Sequence, residues 1–229
     1  MLDVKQHEYL LKRILRDILF EPELSSGLIF KGGTCLYLFY GLNRFSVDLD
    51  FDFRGKMFDP SKMTKVLDKH LKIDGDGFKG GKFGWLWEGS YEKGYRKMQV
   101  DVSSRQFDDS YQVEQFYGLS IKTLTPDSLF AHKLCAVLNR KKFQNRDLYD
   151  VWFMLDKDFP VNEEIVKVRM NKDLKTYLQE VIGHIKAKVN TNRMLDGLGG
   201  LLDEKGKYWV KNYLLDELLA LLEMKVSSL

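Results

Sequence analysis

Two aspartates separated by one apolar residue, Asp48 and Asp50, follow closely on a Lys31-Gly32-Gly33-Thr34 turn. Side chains alternate along a strand, so both carboxylates would project to one face. Carboxylates placed in that way can share a divalent cation with a triphosphate, which is what nucleotidyl transfer requires. The glycines lie between an apolar strand, Leu28-Ile29-Phe30, and a short helix. Free backbone N–H groups at a helix start favour an anion there, and Thr34 adds a hydroxyl at the expected N-cap. Each half also has a plain reading: an acidic strand face turned to water, and an ordinary strand-to-helix turn. Their occurrence together in one short segment is what points to chemistry.

A third carboxylate comes from a second strand. Met98, Val100 and Val102 share one face of it, and Gln99, Asp101 and Ser103 the other. Asp101 thus stands on a polar strand front, as a further metal ligand or as acceptor of a proton from an attacking hydroxyl. No histidine or cysteine cluster with metal-ligand spacing accompanies it.

The elements that must position these residues are legible in outline. Val4 to Phe20 has a helical apolar period through Leu11, Ile14, Leu15, Ile18 and Leu19. Cys35 to Tyr40 reads as a short helix ended by Gly41. Phe45 to Phe53 alternates, with Val47, Leu49, Phe51 and Phe53 behind and Ser46, Asp48, Asp50 and Asp52 in front. A helix over Ser61 to Leu71, capped through Asp59-Pro60-Ser61, precedes a glycine-rich flexible loop from Asp74 to Gly84. Strands around Trp85 to Glu88 and Tyr95 to Ser103 then form a hairpin. Thr125-Pro126 opens a region of helices near Asp127–Arg140, Arg146–Asp156, Asn162–Arg169, Asp173–Lys188 and Tyr208–Met224. The last of these is apolar at Leu214, Leu215, Leu218, Leu219 and Leu222 and is expected to pack on its own domain.

With 229 residues, 44% hydrophobic and 30% charged, the chain has the composition of a globular protein, not a disordered one. A net charge of +3 identifies no partner. Cys35 and Cys135 each sit in an apolar helical run and read as buried free thiols of a reduced compartment. The polar N-terminal segment and the lack of any long apolar run predict a cytoplasmic protein with no membrane partner.

The segments Phe30-Lys31-Gly32-Gly33-Thr34 and Arg44-Phe45-Ser46-Val47-Asp48-Leu49-Asp50-Phe51 resemble the AbiEii/AbiGii abortive-infection toxins of the polymerase-β-like nucleotidyltransferase superfamily. So do Lys133-Leu134-Cys135-Ala136-Val137-Leu138-Asn139-Arg140 and Arg146-Asp147-Leu148-Tyr149-Asp150-Val151-Trp152. The resemblance spans roughly residues 28 to 155. It implies an α/β (α+β) fold: a small mixed sheet of the nucleotidyltransferase type in residues 1–122, then a helical domain, 123–229, closing over the nucleotide. Asp48, Asp50 and Asp101 would hold Mg²⁺, two ions with Mn²⁺ as a substitute. Lys31, Gly32, Gly33 and Thr34 would hold the triphosphate, with Arg44 and Ser46 flanking the metal strand. Lys133 would reach the phosphates, Asp147 or Asp150 would complete the site, and Arg140 and Arg146 would add nucleotide contacts.

The helical part offers a bland alternative for some of these residues, with Arg146 and Asp150 forming an i,i+4 ion pair on an exposed helix. Lys122 to Arg146 carries Lys122, Lys133, Arg140, Lys141, Lys142 and Arg146 against the single acid Asp127, net +5. With Lys93, Arg96 and Lys97 it is either a surface for an RNA backbone or a solvated basic region. The expected activity is therefore transfer of a nucleoside monophosphate from an NTP to a hydroxyl, with RNA (the tRNA 3′ end) as acceptor and a cognate antitoxin as partner. A protein or small-molecule acceptor such as an aminoglycoside, and a non-catalytic nucleotide- or RNA-binding module, are the alternatives.

Overall fold

The computed structural model describes residues 3–92, 97–140 and 142–229. Helix α1 (Val4–Leu19) is capped by the Asp3 carboxylate on the Gln6 amide and buries His7, Leu11, Ile14, Leu15 and Ile18 along one face. A single turn, α2 (Pro22–Ser25), leads into β1 (Leu28–Lys31), whose Leu28, Ile29 and Phe30 are all buried. Helix α3 (Gly32–Phe39) follows without a linker. Gly41 sits beyond its end at φ +76°, the left-handed position that favours glycine after a helix. Then come β2 (Leu49–Phe53), α4 (Pro60–Leu67), β3 (Phe78–Gly81), β4 (Gly84–Gly89), β5 (Met98–Ser103), β6 (Tyr111–Phe116) and β7 (Leu119–Leu124). The remainder is helical: α5 (Pro126–Asn139), α6 (Asn145–Asp156), α7 (Glu163–Met170), α8 (Leu174–Lys188), α9 (Glu204–Asn212) and α10 (Leu214–Ser228), with short 3₁₀ turns before α9.

These elements make two bodies. The first comprises Met1–Gly41, Phe45–Gln106 and Tyr111–Leu124; the second comprises Leu42–Arg44, Phe107–Ser110 and Thr125–Leu229. In the first, seven strands form one mixed sheet in the order β3-β4-β5-β2-β1-β7-β6. The central pairings are β1 with β2 antiparallel, β2 with β5 parallel and β1 with β7 parallel. Leu49, Phe51, Met98, Val100 and Val102 form its buried back, and α3 packs on β1 and β2.

In the second body α5 packs against α6, α7 and α8, and α10 covers α6 and α8 through Leu214, Leu218 and Leu222. The C-terminal helix thus packs within its own body, as its apolar stripe predicts. It is two helices, however, because the chain leaves helical geometry at Tyr213, φ −132°. The bend lets the indole N–H groups of Trp152 and Trp209 both donate to the Glu217 carboxylate.

Several boundaries differ from the sequence reading. The strand expected from Phe45 begins only at Leu49, so Asp48 precedes it. The helix expected to reach Leu71 ends at Leu67. The expected loop from Asp74 to Gly84 contains β3, an edge strand whose exposed residues carry no apolar alternation. The β6–β7 hairpin was not anticipated. Its turn places Tyr117 and Gly118 at φ 48° and 79°, the doubly left-handed geometry of a type I′ turn, with tyrosine where asparagine usually signals it. Strand β5 starts at Met98, and Lys93, Gly94, Tyr95, Arg96 and Lys141 lie outside the described residues.

Candidate functional site

Strand pairing sets the first body's polar face. Lys31 on β1 pairs with Asp50 on β2, and Asp50 pairs with Asp101 on β5, so three charged residues form one row across the sheet. Ile29, Asp52 and Ser103 form the next row. Asp52 is almost fully buried, and Lys31 Nζ lies 2.7 Å from its Oδ1. The other oxygen, Oδ2, has no hydrogen-bond partner among the described residues. The sequence reading placed Asp52 on the acidic front but gave it no role; its burial and its lysine partner appear only in the structure.

Gly32 turns the chain from β1 into α3 at φ +78°. A Cβ there would run into the Asp50 carboxylate, so glycine is required both by conformation and by space. Thr34 is not the helix N-cap; Lys31 occupies that position. Buried one turn in, the Thr34 hydroxyl donates instead to the Asp48 carbonyl at 2.5 Å. Asp48 Oδ1 accepts from the Gln99 amide at 3.3 Å. Ser46 is buried just upstream.

A positioning residue that spacing did not reveal lies in α1. His7 is fully buried, its Nε2 2.9 Å from the Val47 carbonyl and its Nδ1 3.2 Å from the Tyr91 hydroxyl. A carbonyl only accepts, so Nε2 carries the proton and Nδ1 accepts from Tyr91. The ring therefore tethers the segment between Ser46 and Asp48 to the first helix. The one signal was its place on the apolar stripe of α1, four residues before Leu11.

Burial and the neighbouring Asp50 carboxylate push the Asp101 carboxyl up to about 6, against a weaker opposing pull from Lys31. Two aligned carboxylates that disfavour each other's charge are a natural seat for a cation. Among the described residues no three His, Cys, Asp or Glu side chains converge to hold a metal by themselves. The donors fit Mg²⁺, which takes one or two carboxylates from a protein and completes its octahedron with phosphate and water.

In the second body the short segment Leu42–Arg44 lies on α6. Arg44 donates from Nε and Nη2 to the two oxygens of Asp150, each at 2.7 Å, and Tyr149 donates to Asn43 Oδ1 at 2.6 Å. Lys133 of α5 adds an ion pair to Asp150 at 2.6 Å. Burial alone would raise the Asp150 carboxyl, but the Arg44 and Lys133 charges outweigh it and hold it below the usual carboxylate range. Asp150 is thus buried and shared by two cations. Asp150 therefore does not lie on an exposed helix face, as the i,i+4 alternative supposed.

Arg140 Nε lies 2.7 Å from Asp147 Oδ2, off hydrogen-bond alignment, so both Asp147 oxygens lack a hydrogen-bond donor among the described residues. Lys133 of α5, and Arg140 just beyond its end, accordingly pair with Asp150 and Asp147 of α6. These pairs neutralise part of the basic run, and Lys97 is likewise taken by Glu88 at 2.9 Å. Arg146 is half-buried. His132 is half-buried between Asp109 at 2.6 Å and Arg169 at 2.5 Å. Phe143 packs beside His184. Both cysteines are buried free thiols. No described helix is long and apolar enough to cross a membrane.

No curated protein matches the sequence. The fold is similar to that of a nucleotidyltransferase crystal structure from H. pylori, described there as putative, at 21% identity and TM-score 0.62, covering 98% of this chain and 95% of that one. It is also similar to JHP933 from Helicobacter pylori, at 21% identity and TM-score 0.53, covering 100% and 97%. These likenesses show a nucleotidyltransferase fold. Residues 13–205, and with them the glycine turn, the acidic row and the α5–α6 ion pairs, match the family described as nucleotidyl transferase AbiEii toxin of type IV TA systems, so the chain belongs to the AbiEii family and is a nucleotidyltransferase.

Proposed function

We propose that this nucleotidyltransferase moves a nucleoside monophosphate from an NTP to a hydroxyl of RNA, at the tRNA 3′ end, as a cytoplasmic toxin opposed by a cognate antitoxin. The observation that carries the reading is the alignment of Asp50 with Asp101 on adjacent strands, beside a glycine whose missing side chain admits Asp50. Asp48, Asp50 and Asp101 would hold Mg²⁺, as two ions or with Mn²⁺ in their place, and the cation supplies neutralisation of charge on the triphosphate.

The chain's own residues do the rest. Amides at Gly32 and Gly33, at the start of α3, receive phosphate oxygens. His7 and Thr34 fix the carbonyls on either side of Asp48, those of Val47 and of Asp48 itself, so that Asp48 keeps its place before the strand. Asp101 takes the proton of the attacking hydroxyl as its oxygen bonds to the α-phosphorus. The bond from that phosphorus to the bridging oxygen breaks, and pyrophosphate leaves with the electron pair. Within the helical body, Asp150 orders Arg44 and Lys133, and Asp147 pairs with Arg140.

The test is label transfer from each α-labelled NTP, with Mg²⁺ and total tRNA, by wild type and Asp50→Asn. Label on tRNA from wild type alone is the expected result. NTP binding with label on protein or a small molecule instead would overturn the RNA acceptor. Loss of all NTP binding in wild type would overturn the reading as a whole.

A further inference from the structure

The β3–β4 hairpin, expected from sequence to be a loose glycine-rich loop, walls a cleft of ≈ 470 Å³ that reaches Asp101. Its register closes at Gly81 opposite Gly84, leaving Lys82 and Phe83 as the two-residue tip. Gly84 is held at φ +142° against β5, where a Cβ would strike the Val102 carbonyl, so the hairpin lies close on the strand that carries Asp101. Lys79, Lys82, Phe83 and Arg105 are all exposed along the cleft.

Cations outnumber acids along this cleft, with Lys31, Lys79, Lys82 and Arg105 against Asp101. Lys31 is committed to Asp52, but Lys79, Lys82 and Arg105 enter no ion pair among the described residues. Elsewhere Lys97, Lys133 and Arg140 each have a carboxylate. Lys82 Nζ and the Arg105 guanidinium lie 5.4 and 4.9 Å from the Phe83 ring centroid, so an exposed aromatic sits among unspent cations. Gly80 and Gly81 add bare backbone on the edge strand. Cations in a track with an exposed ring are the equipment for a single polynucleotide strand, whose phosphates meet the charges and whose bases offer a face to stack. A duplex hides those faces.

We propose that the β3–β4 hairpin and Arg105 are the docking site of the acceptor strand, with phosphodiesters along Lys79, Lys82 and Arg105 and one base on Phe83, bringing a terminal hydroxyl to Asp101. This rests on the transfer reading above and assigns its second substrate to a surface.

The experiment uses the full chain, fluorescence anisotropy with a 5′-fluorescein single-stranded RNA, a fluorescent NTP for the donor site, and label transfer to tRNA. Lys79→Ala/Lys82→Ala/Arg105→Ala should weaken RNA binding by at least roughly tenfold and flatten the salt slope by about 2, three phosphate contacts at about 0.7 each. Phe83→Ala should cost about tenfold, the loss of one stacked base. NTP binding and melting temperature should not move, and Arg13→Ala/Arg16→Ala on α1 should leave RNA binding as in wild type. Variants that bind and label RNA like wild type would overturn the hairpin while leaving the transfer reading standing. Hairpin-dependent RNA binding by a wild type that never labels RNA would overturn the transfer reading and keep the surface. Hairpin-dependent labelling of an acidic protein, with no RNA binding, would overturn the polynucleotide.

Discussion

Asp101 and Asp150 are both substantially buried carboxylates, and the protein treats them in opposite ways. Around Asp150 the chain supplies a bidentate arginine and a lysine, and the carboxyl is held below its ordinary range. Around Asp101 it supplies another carboxylate in register, and the carboxyl rises to about 6. One acid is satisfied by the fold; the other is left wanting a cation that the fold does not provide. Breaking the first should therefore harm the structure, and breaking the second should harm the reaction.

The sharpest way to break this contrast is Asp150→Ala, which strands Arg44 and Lys133 without their anion. We expect a loss of about 3–5 kcal/mol of stability, read by urea unfolding, because one partner of a buried pair is gone. A variant that unfolds like wild type would erase the distinction. Next, Asp50→Asn should lower label transfer by on the order of 10³-fold, the scale of losing cation-borne charge stabilisation, with no loss of melting temperature.

The pH dependence sharpens it further. A carboxyl raised from 3.8 to about 6 favours its protonated form in the folded protein, so it costs nothing at low pH and destabilises as pH climbs from about 4 to about 6. At about 1.4 kcal/mol per pH unit the cost saturates near 3 kcal/mol. In EDTA, Asp101→Asn should accordingly be more stable than wild type at pH 7.5, with the gap closing near pH 4. A gap that persists at pH 4 would point to packing and not charge. Asp150 has the opposite sign: its contribution is present above the unfolded carboxylate pKa and disappears as pH falls through its lowered folded value. The smallest effect is Thr34→Val, which leaves the Asp48 carbonyl without its donor and should cost about 1 kcal/mol by thermal melting. It should also reduce transfer, since Asp48 loses a tether.

The residues of the acidic row were readable because short-range alternation and two glycines encode them within a few positions. The partners of Asp150 were not readable, because Arg44 and Lys133 are distant in sequence and an i,i+4 neighbour offered a simpler pairing. His7 was invisible for the same reason: its work is done on a carbonyl, and backbone carries no sequence signature. The helices of the second half declared themselves through their apolar period and the Thr125-Pro126 start. The β3 and β6 strands did not, since edge strands have too little buried surface to impose alternation, and their hairpins turn on Lys82-Phe83 and Tyr117-Gly118, neither a conventional turn pair.

The partition of the chain carries a practical consequence. Leu42–Arg44 and Phe107–Ser110 belong to the helical body although they are threaded between segments of the sheet body. No single cut can then release either body whole. A product ending at Leu124 would retain Arg44 but not the aspartate and lysine that hold it, and would expose a guanidinium four residues ahead of Asp48. Such a fragment is not a smaller enzyme, and recombination between homologues that swaps one end of the gene would separate partners that the fold requires to be inherited together.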